Sequence, residues 1–481
     1  MTPARVLLVV PVPVKAAHLR ISWYPPRAGL ASIAAYLLSQ GVEVRVFDGK
    51  VTPSWAALRE EMLRFRPGWV GLSAFTEEIS DADRTAAFVR SVDPEVTTVV
   101  GGPHATHLPL ETLEEFPGFD IAVIGEGEKT LHRIVEAGPD PDRLAAIPGI
   151  AHRTPAGVVL SPPCEGTLDL NELPMPAWHL FDLKRHNGLA FGYETRVPSD
   201  QEFGVELTRG CPLHCTFCSH FVRYDARKTK AVSKVVEEIG TLVDSYGAKR
   251  IAFYSDTFSV KRQYTLDLCA ALRSSGLHER VSWACSTRVD WLDPELIREI
   301  ARSGCRSVFL GVESGSPRIL KSVRKEVDFE QVASTVDALR KAGLFVVSNF
   351  MIGFPDETRE EALATIDLAL RLNLDAASFG ILVPFAGAAI TRELEASIPS
   401  RVTSREWSRY DSHSGAGLIR RTHLSPVEVM LLVQWANARF WLRPGYLRSL
   451  FRYVDTGTLF GHGVHLAREG LGMLLRRTPS G

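Results

Sequence analysis

Three of the seven cysteines fall together in Gly210-Cys211-Pro212-Leu213-His214-Cys215-Thr216-Phe217-Cys218, a C-x3-C-x2-C spacing. Thiolates so close in sequence are ligands for soft or borderline metals. A structural zinc site takes four donors, and no fourth cysteine or histidine stands at finger-like spacing, His214 and His220 being too near in sequence to complete the set. Three thiolates instead suit a four-iron cluster that keeps one iron open. Cys269, Cys285 and Cys305 lie in helix or strand patterns among apolar residues without motif spacing, which reads as core filling. Cys164 stands alone, and an odd count in a long chain argues against a disulfide framework.

The elements that must position this loop come in two alternating series. Residues 4–12 (ARVLLVVPV) form an apolar strand, and Gly29–Gly41 follows with helical spacing of Leu30, Ile33, Ala34 and Leu37. Strands at 43–48, 69–75, 97–101 and 120–124 alternate with helices at 54–66 and 81–92. Strands apolar on both faces belong to a parallel, doubly wound, Rossmann-like sheet. In such sheets ligands sit outside the carboxyl ends of the strands. Those ends carry Trp23-Tyr24-Pro25-Pro26, Ser73-Ala74-Phe75-Thr76, Gly101-Gly102-Pro103-His104 and Gly125-Glu126-Gly127-Glu128, and their small residues leave room for a bulky planar ligand.

From 138 to 201 the periodicity fails and proline is frequent, which predicts an extended linker with a short hairpin near 150–160. A second series runs from 202 to 390, with strands at 205–208, 251–254, 281–284, 307–311, 345–352 and 376–383 and helices between them. Six strand-helix steps predict an open partial (β/α)6 barrel, with the cysteine loop after its first strand. Residues 391–481 form a small, mostly helical unit placed to cap the barrel mouth, with helices near 425–441 and 463–475. The fold class is therefore α/β throughout, with domains at 1–137, 138–201, 202–390 and 391–481.

The cysteine spacing, with Phe217 before the last cysteine, resembles the signature of the radical S-adenosylmethionine (SAM) superfamily. The resemblance extends along the barrel. Phe253-Tyr254-Ser255-Asp256-Thr257-Phe258 looks like its second-strand motif, Glu313-Ser314-Gly315 like its fourth-strand SAM-binding end, and Asn349–Thr358 (NFMIGFPDET) like its fifth-strand motif. Pro384-Phe385-Ala386-Gly387-Ala388 departs from the usual proline-glycine-threonine ending. Residues 1–137 resemble the cobalamin-binding domain of one subfamily, through the proline-rich entry to Gly29-Leu30, the GGPHAT run at 101–106 and the GEGE run at 125–128.

The resemblance implies that Cys211, Cys215 and Cys218 hold a [4Fe-4S] cluster and that Phe217, Asp256, Arg288, Glu313, Ser314 and Gly353 surround SAM. It implies cobalamin contacts from Tyr24, Gly29, Leu30, Ser73, Thr76, Gly101, Gly102, Pro103, His104, Gly127 and Glu128. Glu126 and Glu128 have a second reading, as acids that favour the start of the following helix. The first sheet lacks D-x-H-x-x-G; Asp411-Ser412-His413-Ser414-Gly415-Ala416 comes close but has alanine where glycine is required. Substrate-facing candidates are Tyr224, Tyr254, Tyr410 and His413, each with packing or surface placement as the alternative.

The implied chemistry is reductive cleavage of SAM to a 5'-deoxyadenosyl radical and hydrogen abstraction from an unactivated C–H bond. The leading activity is cobalamin-dependent C-methylation of a small secondary metabolite, with a low-potential donor such as flavodoxin or ferredoxin. Its rival is dehydration of an amino-sugar diol, ring contraction or cyclisation without methyl transfer. Acids (56) and bases (55) nearly cancel, which argues against a nucleic-acid reader. No stretch approaches the ~20 apolar residues of a membrane helix, so the expected location is cytoplasmic.

Overall fold

The computed structural model describes residues 4–14, 26–164, 168–186, 201–219, 228–255 and 257–443. The expectations for Tyr24, Tyr224, Asp256 and a helix at 463–475 lie outside these residues. Among the described residues no helix is long and apolar enough to cross a membrane.

The first sheet is built from β1 (Arg5–Val10), β2 (Glu43–Asp48), β3 (Trp69–Ser73), β4 (Thr97–Gly101), β5 (Ile121–Val123), β6 (Ile150–Thr154) and β7 (Gly157–Leu160), in the order β2-β1-β3-β4-β5-β6-β7. The first five strands are parallel. Helices α1 (Ala28–Ser39), α2 (Trp55–Phe65), α3 (Ile79–Val92), α4 (Pro103–His107), α5 (Pro109–Glu115), α6 (Glu128–Ala137) and α7 (Pro141–Ala145) connect them. Alternation along β1 assigns the two faces. Val6, Leu8 and Val10 pack with α1 and α6, while Leu7 and Val9 pack with α2 and α3. Burial on both faces is what a continuous apolar strand requires.

The expected linker is more structured than its proline content suggests. Strands β6 and β7 form a hairpin that adds to β5 in antiparallel sense. Further along, Trp178 is buried, with its ring 6.1 Å from that of Phe203. The preceding Ala177 N–H donates to the Ala31 carbonyl of α1 at 2.9 Å. One apolar side chain thus joins the cores of the two halves.

The second sheet contains β8 (Glu202–Arg209), β9 (Lys228–Thr229), β10 (Arg250–Ser255), β11 (Ser282–Thr287), β12 (Cys305–Glu313), β13 (Phe345–Ile352) and β14 (Ala376–Ile381), in the order β14-β13-β12-β11-β10-β8-β9. All are parallel except the short β9. Helices α8 (Val232–Tyr246), α9 (Arg262–Ser274), α10 (Leu277–Arg280), α11 (Pro294–Arg302), α12 (Pro317–Ser322), α13 (Phe329–Lys341) and α14 (Arg359–Arg371) intervene. Six sequential parallel strands whose end members stay apart make an open barrel. After β14 come α15 (Ala389–Ala396) and α16 (Pro426–Trp441), the latter packing Phe440 on Phe379 of β14 with ring centres 6.2 Å apart.

Candidate active site

Strand β8 ends at Arg209, and the cysteine loop follows at once. Cys211 is buried, with its sulfur 3.7 Å from Thr257 Oγ1; Cys215 and Cys218 are half-buried. Thr216 anchors the loop centre: its N–H donates to Val323 O at 3.0 Å, and its carbonyl accepts from Ile390 N at 2.9 Å. Burial pushes the Cys215 thiol up, Lys325 and Arg288 oppose this, and the other two cysteines add to it. The three thiols therefore lie within electrostatic reach of one another beside two cations. Among the described residues, no three His, Cys, Asp or Glu side chains are arranged to hold a single metal ion. Three thiols on one short loop fit a multi-iron cluster, whose binding would displace the thiol protons.

Alternation along the barrel strands sends Trp283, Cys285, Val346 and Phe350 outward into the main core. The opposite parity turns Ser286, Asn349 and Ser378 inward; Ser286 and Asn349 are exposed. Tyr254 shares this face. Its ring lies over Gly204, where any β-carbon would collide with it, and burial followed by the Glu202 charge pushes its hydroxyl pKa up.

The residues implied to hold SAM divide into two sets. Glu313 has a left-handed backbone (φ 69°) and pairs with Lys325 at 2.7 Å, both largely buried. Lys325 also stands 5.8 Å from the Phe217 ring centre, so one cation links the cluster loop to the end of β12. Arg288 is tied to Asp290 at 2.8 Å and to the Glu326 carbonyl at 3.3 Å, which places its charge near Cys215. Ser314 faces elsewhere. It is fully buried, its hydroxyl 3.2 Å from Thr365 Oγ1, and it fastens the loop to α14. Gly353 (φ 91°) is closed by the segment between α15 and α16: its carbonyl accepts from Arg421 Nε at 2.6 Å, and a β-carbon there would come within 2.8 Å of that nitrogen.

At the first sheet the strand order reverses between β1 and β3, the usual place for a ligand crevice. Ser73 and Gly101 are register partners at the strand ends, and both are half-buried. Among the described residues, a β-carbon on Gly101 would meet only Val123 at 3.9 Å, and nothing lies within 4 Å of one on Gly125 or Gly29. That cradle fits a broad, flat group. Phe75, 44% exposed beneath the Arg27 guanidinium, adds apolar surface at its edge. Against burial, Arg27 and Lys50 hold the neighbouring Glu78 carboxyl down at about 2. Pro103 begins α4, half-buried, and Thr76 is buried in the turn after Phe75.

Several implied cobalamin contacts have other partners. Leu30 lies in the core beneath α1. Gly102 (φ 106°) is demanded by its own backbone, since a β-carbon would come within 2.5 Å of Ala74 O. His104 is buried edge-on to Trp407 at 4.8 Å, and burial, with His107, pulls its pKa down to about 4. Gly127 packs under Ile33. Glu128 accepts from Arg209 at 2.7 Å and from Ser32 at 2.8 Å.

Of the substrate-facing candidates, Tyr410 is buried and donates to Ser404 O at 2.8 Å, while His413 is exposed on the Asp411 turn. Cys269, Cys285 and Cys305 have no mutual motif spacing, yet the fold gathers them in the core. All are fully buried, and burial followed by their mutual contacts pushes the Cys285 thiol far up. The inward Ser286, Asn349 and Ser378 were missed, although polar residues alternating with apolar ones in these strands were a visible signal.

A ligand crevice at the end of one doubly wound sheet, joined to an open barrel with a three-cysteine loop, defines an iron–sulfur enzyme with two ligand-bearing halves. Residues 205–369 match the radical SAM superfamily and residues 20–135 the B12 binding domain. An uncharacterized methyltransferase of Pyrococcus horikoshii is 31% identical over 479 residues, spanning 98% of this chain and 99% of that protein. The anaerobic magnesium-protoporphyrin IX monomethyl ester cyclase of Rubrivivax gelatinosus is 28% identical over 77% of this chain and 66% of its own length. The radical SAM methyltransferase TsrM of Kitasatospora setae, solved with tryptophan and a SAM analogue, shares the fold at TM-score 0.67 and 20% identity, over 92% of this chain and 89% of its own. The chain belongs to the B12-binding radical SAM family, a methyltransferase-like group of enzymes. Its cofactors are accordingly a [4Fe-4S] cluster and SAM in the second half and cobalamin in the first.

Proposed function

We propose that this enzyme methylates an unactivated carbon of a small secondary metabolite. When bound, the cluster and SAM supply a 5'-deoxyadenosyl radical, and cobalamin supplies the methyl group. The observation that carries the proposal is the contact between the two ligand-bearing halves. Ser219, next to Cys218, donates to Ala386 O at 2.6 Å, and Gly387 lies against the His107 ring of α4. One short loop thus joins the cluster loop to the ligand end of the first sheet.

In this reading Cys211, Cys215 and Cys218 hold the cluster, Lys325 and Arg288 place positive charge beside it, and Asp256 and Glu313 serve SAM. The inward Tyr254, Ser286, Asn349 and Ser378 orient a neutral, hydrogen-bonding substrate, and the barrel wall keeps water from the reacting carbon. Residues 1–137 carry cobalamin over the edge formed by Ser73, Gly101 and Gly125. Residues 138–201, whose 150–160 hairpin extends the first sheet, join that domain to the barrel at 202–390, and 391–481 form the unit that caps its mouth. A low-potential flavodoxin or ferredoxin supplies the electron.

Labelled-methyl SAM tests the proposal. Each product should carry one labelled methyl group and be matched by one S-adenosylhomocysteine and one 5'-deoxyadenosine. An unlabelled product, formed at full rate without cobalamin, would refute methyl transfer and leave radical formation standing.

A further inference from the structure

Arg209 is the last residue of β8 and is separated from Cys211 only by Gly210. Its guanidinium is surrounded by three carboxylates. Nε donates to Glu206 at 2.7 Å, Nη2 to Glu128 at 2.7 Å and to Glu206 at 2.9 Å, and Nη1 to Glu126 at 2.9 Å. Two of these acids come from the first half, Glu126 on the turn that leads from β5 into α6 and Glu128 as the first residue of that helix. Lys228 of β9 pairs with Glu126 from the other side, and Ser32 of α1 holds Glu128. Glu128 is 3% exposed and the Arg209 side chain 12%, so solvent and salt screen the arrangement weakly.

We infer that Arg209 is a positioning residue that fixes the start of the cluster loop against the ligand-bearing end of the first sheet. The inference rests on the function proposed above, because only a reaction that uses both halves depends on their separation. A rigid planar fork can serve three carboxylates in a set geometry, which a lysine ammonium cannot. The far end of the loop is held by a different, uncharged contact, from Ser219 to the loop against His107. Losing Arg209 therefore frees one end of the cluster loop and leaves the thiols in place. Glu126 and Glu128, committed to this bridge, act on the cofactor geometry at a distance rather than by touching the corrin.

The full-length protein, reconstituted with iron, sulfide and hydroxocobalamin, tests this through R209Q and R209K. Three quantities are read: iron per chain, the ratio of 5'-deoxyadenosine to methylated product, and amide exchange over residues 122–131 and 205–212. R209Q should keep its iron and its SAM cleavage while the ratio rises about tenfold or more, the order of loss that misplaced reacting groups bring. Exchange should rise in both segments together, and R209K should fall between R209Q and the parent. An unchanged ratio, iron lost in step with both products, or faster exchange confined to 205–212 would overturn the inference. Should R209Q fail to fold, R209K carries the same readouts. If the parent protein makes no methylated product, the proposed function fails, and the paired exchange response still decides the bridge.

Discussion

The two seven-stranded sheets offer ligands different surfaces. In the first, helices cover both faces, with Val6, Leu8 and Val10 packed on one side and Leu7 and Val9 on the other. Only the carboxyl edge remains for a ligand, so binding there falls to loops and to small residues such as Ser73 and Gly101. In the second, the outward face is packed against helices, while the inward face keeps Ser286 and Asn349 exposed. A ligand inside it is met by strand side chains. The difference teaches that two mostly parallel sheets of equal strand number distribute their chemistry differently: along the edge where both faces are buried, and across a face where the sheet curls open.

The largest effect that separates the two halves comes from the cysteines. Replacing Cys211, Cys215 and Cys218 by alanine should abolish the cluster's broad visible absorption and all SAM cleavage, while cobalamin uptake by the first half persists. Iron retained in the triple variant would mean that the buried Cys269, Cys285 and Cys305 group binds metal, against its tight core packing. The converse variant is Gly101→Val, whose β-carbon would meet, among the described residues, only Val123 at 3.9 Å, and it should block cobalamin uptake with the cluster intact. Gly102→Ala is the control. Its positive φ and the close Ala74 carbonyl predict a loss of about 1–3 kcal/mol in folding stability whatever the ligand. Equal cobalamin binding by the parent and Gly101→Val would remove the strand-end cradle as the site.

How much of this was legible in the sequence follows the same division. The cysteine loop, both strand series and the crevice ends could be read because each rests on local spacing or on a strand's alternation. Positions decided by long-range packing could not. His104 sits on a turn that reads as ligand-facing, yet Trp407, some 300 residues on, covers it. Glu128 reads as a helix-start acid or a ligand contact until β8 brings Arg209 to it. Leu30 fits both the crevice motif and the core stripe of α1, and only the depth of the packing decides between them. Trp178 lay in a segment without periodicity, where nothing local marked it as the joint between cores.

A smaller, pH-dependent difference tests the closure of the barrel. Glu357 is fully buried, accepts from Gly353 N at 2.5 Å, and burial raises its pKa from 4.5 to about 7. A carboxyl whose folded pKa lies above its unfolded value lends stability below the unfolded value and loses it as pH rises through the folded one. Stability should therefore fall between pH 4.5 and about 7, by on the order of 3 kcal/mol for this group. Glu357→Gln should flatten that slope in urea denaturation. Glu77, raised to about 7 by burial and then by Glu78, titrates in the same window at the edge of the first sheet. It is only half-buried, so Glu77→Gln should remove less of the slope. The opposite ranking would place the more tightly closed site in the first half.

The smallest effect decides whether the chain beyond β14 belongs to the substrate site or to the wall around it. Tyr410 lies 4.9 Å from the Trp407 ring and donates its hydroxyl to Ser404 O, and burial pushes its pKa up to about 12. These partners belong to its own segment, which packs on the first half through Trp407 and His104. Tyr410→Phe keeps the ring and removes one hydrogen bond, whose net worth is about 0.5–1.5 kcal/mol. A shift of that size in denaturant midpoint, with kcat and KM unchanged, identifies Tyr410 as wall. A substrate-facing tyrosine would behave in the opposite way, with turnover falling while stability held. That outcome would require the segment from Trp407 to Tyr410 to swing away from His104 during turnover, and the covering of the first half by this segment would then be a closed state of the enzyme rather than its fixed architecture.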